Sequence, residues 1–362
     1  VGSGDEVIVP GFMWISSISA IIRSRAIPVL VDSDQTLGVD PEDLKVKISE
    51  RTKVIMVVPM LGSSSKIGEI MEVVRIVNNS RKKDNLSKIF VLEDCAQSLG
   101  AHAFGIPGSS QTSLPEGYYK LGTFGDIGTF SLQLNKDITA GEGGMVVTRD
   151  KELNDRVDAL HNAGYIKKEK NNINWYGDIP YGWGHGRRMS ELQGAVARVQ
   201  LKKLDSILDN IRKNHSFFEE FFKKQGIKLR KRAYQNNPGD TGYYLCFHLP
   251  ENLDDNTAIS KGREIAKDLK DKGFNVWFLH DFEVHIYYNI EPLVKKFPMN
   301  DGSPWEDPKN SFHTQYKYDR GALPNLDHLL IRTIGLNMPS KMSDNTRDNM
   351  MNDLLVTLKN LY

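Results

Sequence analysis

Three segments carry side chains whose types and spacing could do chemistry. In Val91-Leu92-Glu93-Asp94-Cys95-Ala96-Gln97-Ser98, Asp94 follows an apolar run. Its carboxylate is therefore expected at the C-terminal edge of a strand, where open α/β sheets bind ligands. In Gly128-Thr129-Phe130-Ser131-Leu132-Gln133-Leu134-Asn135-Lys136, a serine and a lysine stand five residues apart just after another apolar run. Gly141-Glu142-Gly143-Gly144 follows, with small residues that let backbone approach closely. A lysine at the mouth of a sheet, with an aspartate on a neighbouring strand, meets the needs of one cofactor. Pyridoxal phosphate is held through a lysine amine, and a carboxylate keeps its ring nitrogen protonated. The same amine, once displaced, can move a substrate proton as a free base. Nearby hydroxyls and N–H groups would hold the phosphate.

Such side chains need a sheet to position them. Short apolar runs at Glu6–Pro10, Ile27–Val31, Lys53–Val58, Ile89–Leu92, Gly128–Leu132 and Gly144–Thr148 alternate with helical stretches. That order predicts a largely parallel sheet with helices on both faces. The expected helices include Trp14–Arg25, one opening at Asp40-Pro41, and Ile67–Val77. Gly105–Lys120, with its Pro, Gly and Ser residues, is expected to be a surface loop. Ser190 should cap a long helix that continues, with a bend allowed along it, through Phe217–Phe222, whose rings are read as core packing, and stops at Gly226. Beyond it come strands at Tyr243–Leu249 and Asn275–Leu279 and a final helix over Ser343–Leu361. The expected organisation is a large cofactor-binding α/β domain over 1–200, a connecting helix over 201–226 and a smaller α+β domain over 227–362.

Composition limits the alternatives. The 362 residues include 47 Lys+Arg against 46 Asp+Glu, a formal net charge of +1, which argues against a nucleic-acid partner. No apolar run approaches the ~20 residues that span a bilayer, so no membrane partner is expected. Two cysteines form neither a disulfide framework nor a four-ligand zinc site, and no metal is expected. A reducing, cytoplasmic location fits that usage. The chain opens with Val1-Gly2-Ser3-Gly4 and enters an apolar run almost at once, so further residues are expected upstream.

These segments together resemble the DegT-type sugar aminotransferases, pyridoxal-phosphate enzymes of the aspartate-aminotransferase fold (fold type I). GSGDEVIVPGFMWISSISAI resembles the opening strand and helix of that family, and IPVLVDSDQTLGVDPEDL the strand and turn that follow. VLEDCAQSLGA, GTFGDIGTFSLQLNKDITAGEGGMVVT and RMSELQGAVARVQLKKLD are similar to its three most diagnostic segments, in order and at compatible spacing. The resemblance implies Lys136 as Schiff-base lysine and proton shuttle, with Asp94 on the pyridinium nitrogen. It implies Gln97 near the ring 3-oxygen, Ser131 on the phosphate and the Trp14 ring stacked on the pyridine. Arg188 would reach the active site of a partner subunit, since such enzymes build sites at a homodimer interface.

The implied reaction moves an amino group from glutamate or glutamine to a keto- or aldehydo-sugar, often nucleotide-linked, through pyridoxamine phosphate. Amino-sugar, polysaccharide or antibiotic biosynthesis is the implied setting. A sugar dehydratase of the same family is the alternative. Family members of that type carry His in place of the lysine, and Lys136 stands against it. A non-catalytic homologue is the third reading. Three positions depart from the family pattern: Gly186 for a common Asn, Pro59 for a His and Met13 for a Thr. The family's phosphate-gripping Gly-Thr-small-Leu segment would lie upstream of Val7. Cys95 reads as a small buried residue, and Arg332 as either a carboxylate ligand or a structural ion pair.

Overall fold

Six strands assemble into one sheet in the computed structural model, which describes residues 1–109, 114–166, 181–234 and 239–359. In chain order the elements of the first part are β1 (Glu6–Pro10), α1 (Ile15–Arg23), β2 (Ile27–Val31), α2 (Pro41–Lys47), β3 (Thr52–Val57), α3 (Ile67–Lys83) and β4 (Phe90–Asp94). Next come β5 (His102–Gly105), β6 (Gly117–Lys120), β7 (Ile127–Ser131), β8 (Gly144–Val147) and α4 (Lys151–His161). The sheet order is β2-β1-β3-β4-β7-β8, parallel throughout except for the antiparallel edge strand β8. Strands such as β1 and β2 are buried at every position, as continuous apolar runs between two covering layers require.

The remaining elements are α5 (Glu191–Leu201), α6 (Leu204–Lys224), β9 (Tyr244–His248), α7 (Asp255–Asp271), β10 (Val276–Phe278), α8 (Glu291–Val294), α9 (Pro324–Leu330), β11 (Thr333–Asn337) and α10 (Asp344–Leu358). A three-stranded antiparallel sheet of order β10-β11-β9 packs with α6, α7 and α10 around Phe218, Phe222, Phe247 and Leu269. Residues from 279 to 330 turn back and pack against β1, α1 and β2 in a core that includes Phe12, Met13, Tyr287 and Leu326.

Local chemistry sets several boundaries. The Asp40 carboxylate accepts from the Glu42 N–H, with Pro41 opening α2. Ser190 forms a capping box: its hydroxyl accepts from the Gln193 N–H, and the Gln193 side chain accepts from the Ser190 N–H. Gly226 ends α6 in the left-handed region at φ +71°.

Three expectations need correction. The segment Gly105–Lys120 is a loop only in part. Its end forms β6, which pairs with β5: the rings of Phe104 and Tyr118 pack across the pair on one face, and Tyr119 on the other face packs against Phe124. Residues 110–113 of that segment lie outside the described residues. The bend allowed in the long helix is a full break into two helices. The Lys203 N–H donates to the Gln200 carbonyl, a tight turn that lets Leu204, Leu208 and Ile211 face the core while α5 buries none of its residues. The strand β11 went unpredicted because Arg332 and Thr333 interrupt its apolar run, yet it is the central strand of the second sheet.

Candidate active site

The parallel strands end on one rim, and the candidate side chains converge there. Asp94 closes β4, Ser131 closes β7, and Trp14 sits in the turn between β1 and α1. The register pairs Asp94 with Thr129, two residues before Ser131, so the sheet itself sets their separation. Beyond β7, residues 132–140 fold back. The Leu132 N–H donates to Gly143 and the Ala140 N–H donates to Leu132, which brings Lys136 and Asp137 over the rim.

A cleft of ≈ 820 Å³ results, lined by Trp14, Asp94, Gln97, Ser131, Lys136 and Asp137, and on its other wall by Tyr243, Trp277 and His285 among others. Five of the six predicted site residues therefore share one cavity. The sixth, Arg188, lies outside it. Its side chain is exposed and, among the described residues, its guanidinium donates to the Tyr165 hydroxyl at 3.4 Å.

The carboxylate of Asp94 is fixed at both oxygens. One accepts from the Ser17 hydroxyl at 2.8 Å and the other from the Ala96 N–H at 3.3 Å. Ser17 is a residue the sequence reading missed. Its signal was a small polar side chain on the inward face of α1, three residues after Trp14. Gln97 is oriented by the Leu61 N–H, which donates to its side-chain oxygen at 3.0 Å, and the Ser131 hydroxyl accepts from the Gln133 N–H at 3.3 Å. Trp14 is 45% exposed and lines the cleft.

Burial lowers the Lys136 pKa, and the carboxylates of Asp94 and Asp137 act against that fall. The amine is thereby brought nearer to neutral than a surface lysine. Burial pushes the Asp137 carboxyl up to about 6, opposed by the Lys136 charge. One of its oxygens is buried without a hydrogen-bond partner. Cys95, next to Asp94, is fully buried, and its thiol pKa is raised well above the ordinary range, so it packs rather than reacts. Arg332 is engaged structurally: it donates to the Leu253 carbonyl and to the Asp255 carboxylate. Among the described residues, no group of three or more His, Cys, Asp or Glu could hold a metal ion. No helix among them is long and apolar enough to cross a membrane.

The family model of the DegT/DnrJ/EryC1/StrS aminotransferases matches residues 1–297. The chain belongs to this family. A GDP-perosamine synthase of Escherichia coli O157:H7 is 37% identical over 213 residues, covering 59% of this chain and 50% of the relative. An L-glutamine:2-deoxy-scyllo-inosose aminotransferase of Streptomyces lividus is 31% identical over 258 residues, 69% of this chain and 54% of the relative. The chain thus spans about half the length of the curated relatives it matches. Among solved structures, an aminotransferase from Psychrobacter cryohalolentis superposes with a TM-score of 0.72 at 22% identity, covering 100% of this chain and 82% of that one. An E. coli GDP-4-keto-6-deoxy-D-mannose-3-dehydratase with bound hydrated PLP superposes at 0.68 and 21% identity, covering 98% and 80%. The fold is that of fold type I pyridoxal-phosphate enzymes, a mixed sheet flanked by helices with a smaller α+β part.

Proposed function

We propose that this protein is a pyridoxal-phosphate aminotransferase that moves an amino group from glutamate or glutamine to the carbonyl of a sugar or cyclitol. The observation that carries the reading is one lysine amine and one doubly anchored carboxylate lining the same cleft at the sheet rim. Membership of the family supports it, and the lysine at position 136 favours transamination over dehydration.

The donor set suits the cofactor at both reacting positions. When bound, the cofactor supplies a carbonyl carbon for amine exchange and a protonated ring that withdraws electrons. Lys136 Nζ would hold the carbonyl end and, once freed, carry a proton to or from the substrate carbon. Its lowered pKa makes the amine easier to deprotonate for both tasks. Asp94 would hold a proton on the ring nitrogen, and Ser17 and the Ala96 N–H keep its oxygens aimed. Gln97 would lie by the ring oxygen, Ser131 would donate to the phosphate and Trp14 would cover one ring face.

The active unit in this reading is a homodimer in which Arg188 serves the partner's site. The helix α5, which follows Arg188 directly, supports this: it leaves Leu192, Val196 and Val199 exposed at helical spacing. The test has two parts. Purified protein loaded with pyridoxal phosphate should be yellow, and borohydride should fix the adduct on Lys136, located by peptide mass. A glutamate- and glutamine-driven screen against keto-sugars and cyclitol ketones should then show amination. A colourless protein that takes up no cofactor would overturn the reading.

A further inference from the structure

One cleft residue has no role in this scheme and is unusually well fixed. His285 arrives on a segment that leaves the second sheet after β10 and folds through two short 3-10 turns, Leu279–Asp281 and Glu283–His285. Glu283, which opens the second turn, adopts a left-handed φ of +43°, and the Asn289 side chain donates to its carbonyl. A non-glycine residue in that region costs energy and is kept where the surroundings demand it. The His285 carbonyl then accepts from the Met13 N–H at 2.9 Å, beside an isolated antiparallel bridge between Phe12 and Ile286. The imidazole is thereby delivered to the turn that carries Trp14. It stacks on Phe282 with centroids 4.0 Å apart and rings 9° from parallel, and it leans on Trp14 at 4.7 Å.

The tautomer follows from one hydrogen bond. Nδ1 lies 3.1 Å from the Phe282 carbonyl, which can only accept, so Nδ1 carries the proton. Nε2 is left as a bare acceptor. Burial, with the Lys136 charge adding to it, lowers the ring pKa to about 4, so the imidazole is neutral at physiological pH. A bare ring nitrogen attracts a hydroxyl and repels a carboxylate, which disfavours contact with an amino-acid donor. The adjoining faces of Trp14, Trp277 and Phe282 suit the C–H face of a polyhydroxylated ring.

We propose that His285 Nε2 accepts a hydrogen bond from a hydroxyl of the sugar or cyclitol acceptor and so selects for that substrate. The assignment rests on the aminotransferase reading and deepens it by naming what the aromatic wall contacts. His285 is a specificity-determining residue for the second half of the reaction, and the donor half does not use it.

His285→Phe keeps the ring stack and removes the acceptor atom, while His285→Gln restores an acceptor. Each is compared with the parent on the ketone it uses best from a panel that includes 2-deoxy-scyllo-inosose and GDP-4-keto-6-deoxymannose. The donor half-reaction is followed separately, by cofactor absorbance with glutamate or glutamine and no sugar. Tryptophan fluorescence quenching by the same ketone gives its Kd without turnover. In His285→Phe, acceptor kcat/KM should fall and Kd rise by about ten- to a hundredfold, with partial recovery in His285→Gln. Cofactor content and the donor half-reaction should match the parent. Unchanged acceptor Kd, or an equal loss in both halves, would overturn the assignment. A parent that fails the donor half-reaction would instead overturn the functional reading on which it rests, and a parent that passes it but uses no ketone would overturn the acceptor assignment.

Discussion

The Ser17 hydroxyl donates to Asp94 at 2.8 Å, so a helix that precedes β2 in the chain fixes a carboxylate at the end of β4. Ser17 is 3% exposed. Ser17→Ala should leave one Asp94 oxygen underbonded and free to turn. The expected result is a fall in cofactor affinity and in rate of about three- to thirtyfold, with thermal stability nearly unchanged. Asp94→Ala should lose far more rate, because an unprotonated ring is a poor electron sink. Parallel titrations of cofactor absorbance and turnover in the two variants check the ranking. Parent-like activity in Asp94→Ala would remove it from the ring nitrogen.

Lys136→Ala removes the only lysine that lines the cleft among the described residues. Turnover should disappear, while cofactor is still retained noncovalently through the remaining contacts. Borohydride should then leave no mass adduct after the protein is denatured. Normal turnover in this variant would show that another amine does the work.

Asp137 makes a prediction about pH. Its folded-state pKa of about 6 lies above that of an ordinary aspartate, near 4 in an unfolded chain. Between those values the folded state binds more protons than the unfolded one, so stability falls as pH rises through the window. The protein is expected to be most stabilised by this group below it. Asp137→Asn should abolish that fall and raise stability at neutral pH by about 2–3 kcal/mol. The same substitution removes a negative charge that holds the Lys136 pKa up, so the amine should titrate at a lower pH than in the parent. The pH dependence of cofactor capture measures this shift. An unchanged titration, or a shift to higher pH, would mean that Asp137 does not hold the Lys136 pKa up.

Glu93, the residue before Asp94, is fully buried and accepts from three backbone N–H groups, those of Gly122, Phe124 and Gly125, at 2.8, 2.7 and 2.7 Å. Burial raises its pKa, and those three donors pull against the rise. In Glu93→Gln the side-chain NH₂ must face a backbone N–H. A loss of about 2–4 kcal/mol in urea denaturation is expected, although no atom of the cleft is changed. A stability equal to the parent would mean the loop at 122–125 is held by other contacts.

Much of this was legible in the sequence, for physical reasons that differ between elements. Strands β1, β2 and β3 are continuous apolar runs, because both faces of a parallel sheet are covered. The caps at Asp40 and Ser190 are local chemistry and were readable as such. Asp94 and Lys136 were found through the motifs around them. What stayed hidden depends on contacts distant in sequence. Ser17 matters only because α1 lies over the end of β4, and His285 only because its carbonyl meets Met13. The strand β11 is held by partners on both sides, and a mixed run such as Arg332-Thr333-Ile334-Gly335 gives no alternation to read. The break between α5 and α6 is likewise a tertiary decision, made where one apolar face meets a core and the other does not.

Two glycines in the motif region should respond to substitution for opposite reasons. A Cβ on Gly128 would lie 2.1 Å from the Gly122 carbonyl oxygen, a backbone atom that cannot turn aside. Gly128 also pairs with Glu93 on one side and Val147 on the other, so β7 cannot slide to make room. Gly128→Ala must therefore displace the loop that binds Glu93, at about 2–4 kcal/mol, and weaken cofactor retention with it. Gly141 meets nothing within 4 Å, but its φ is +81°. Gly141→Ala should cost only the left-handed strain, about 1 kcal/mol, and keep the cofactor. Melting temperatures and cofactor content of the two variants test the contrast. Equal, small effects would mean that the loop at 122–125 does not rest on β7.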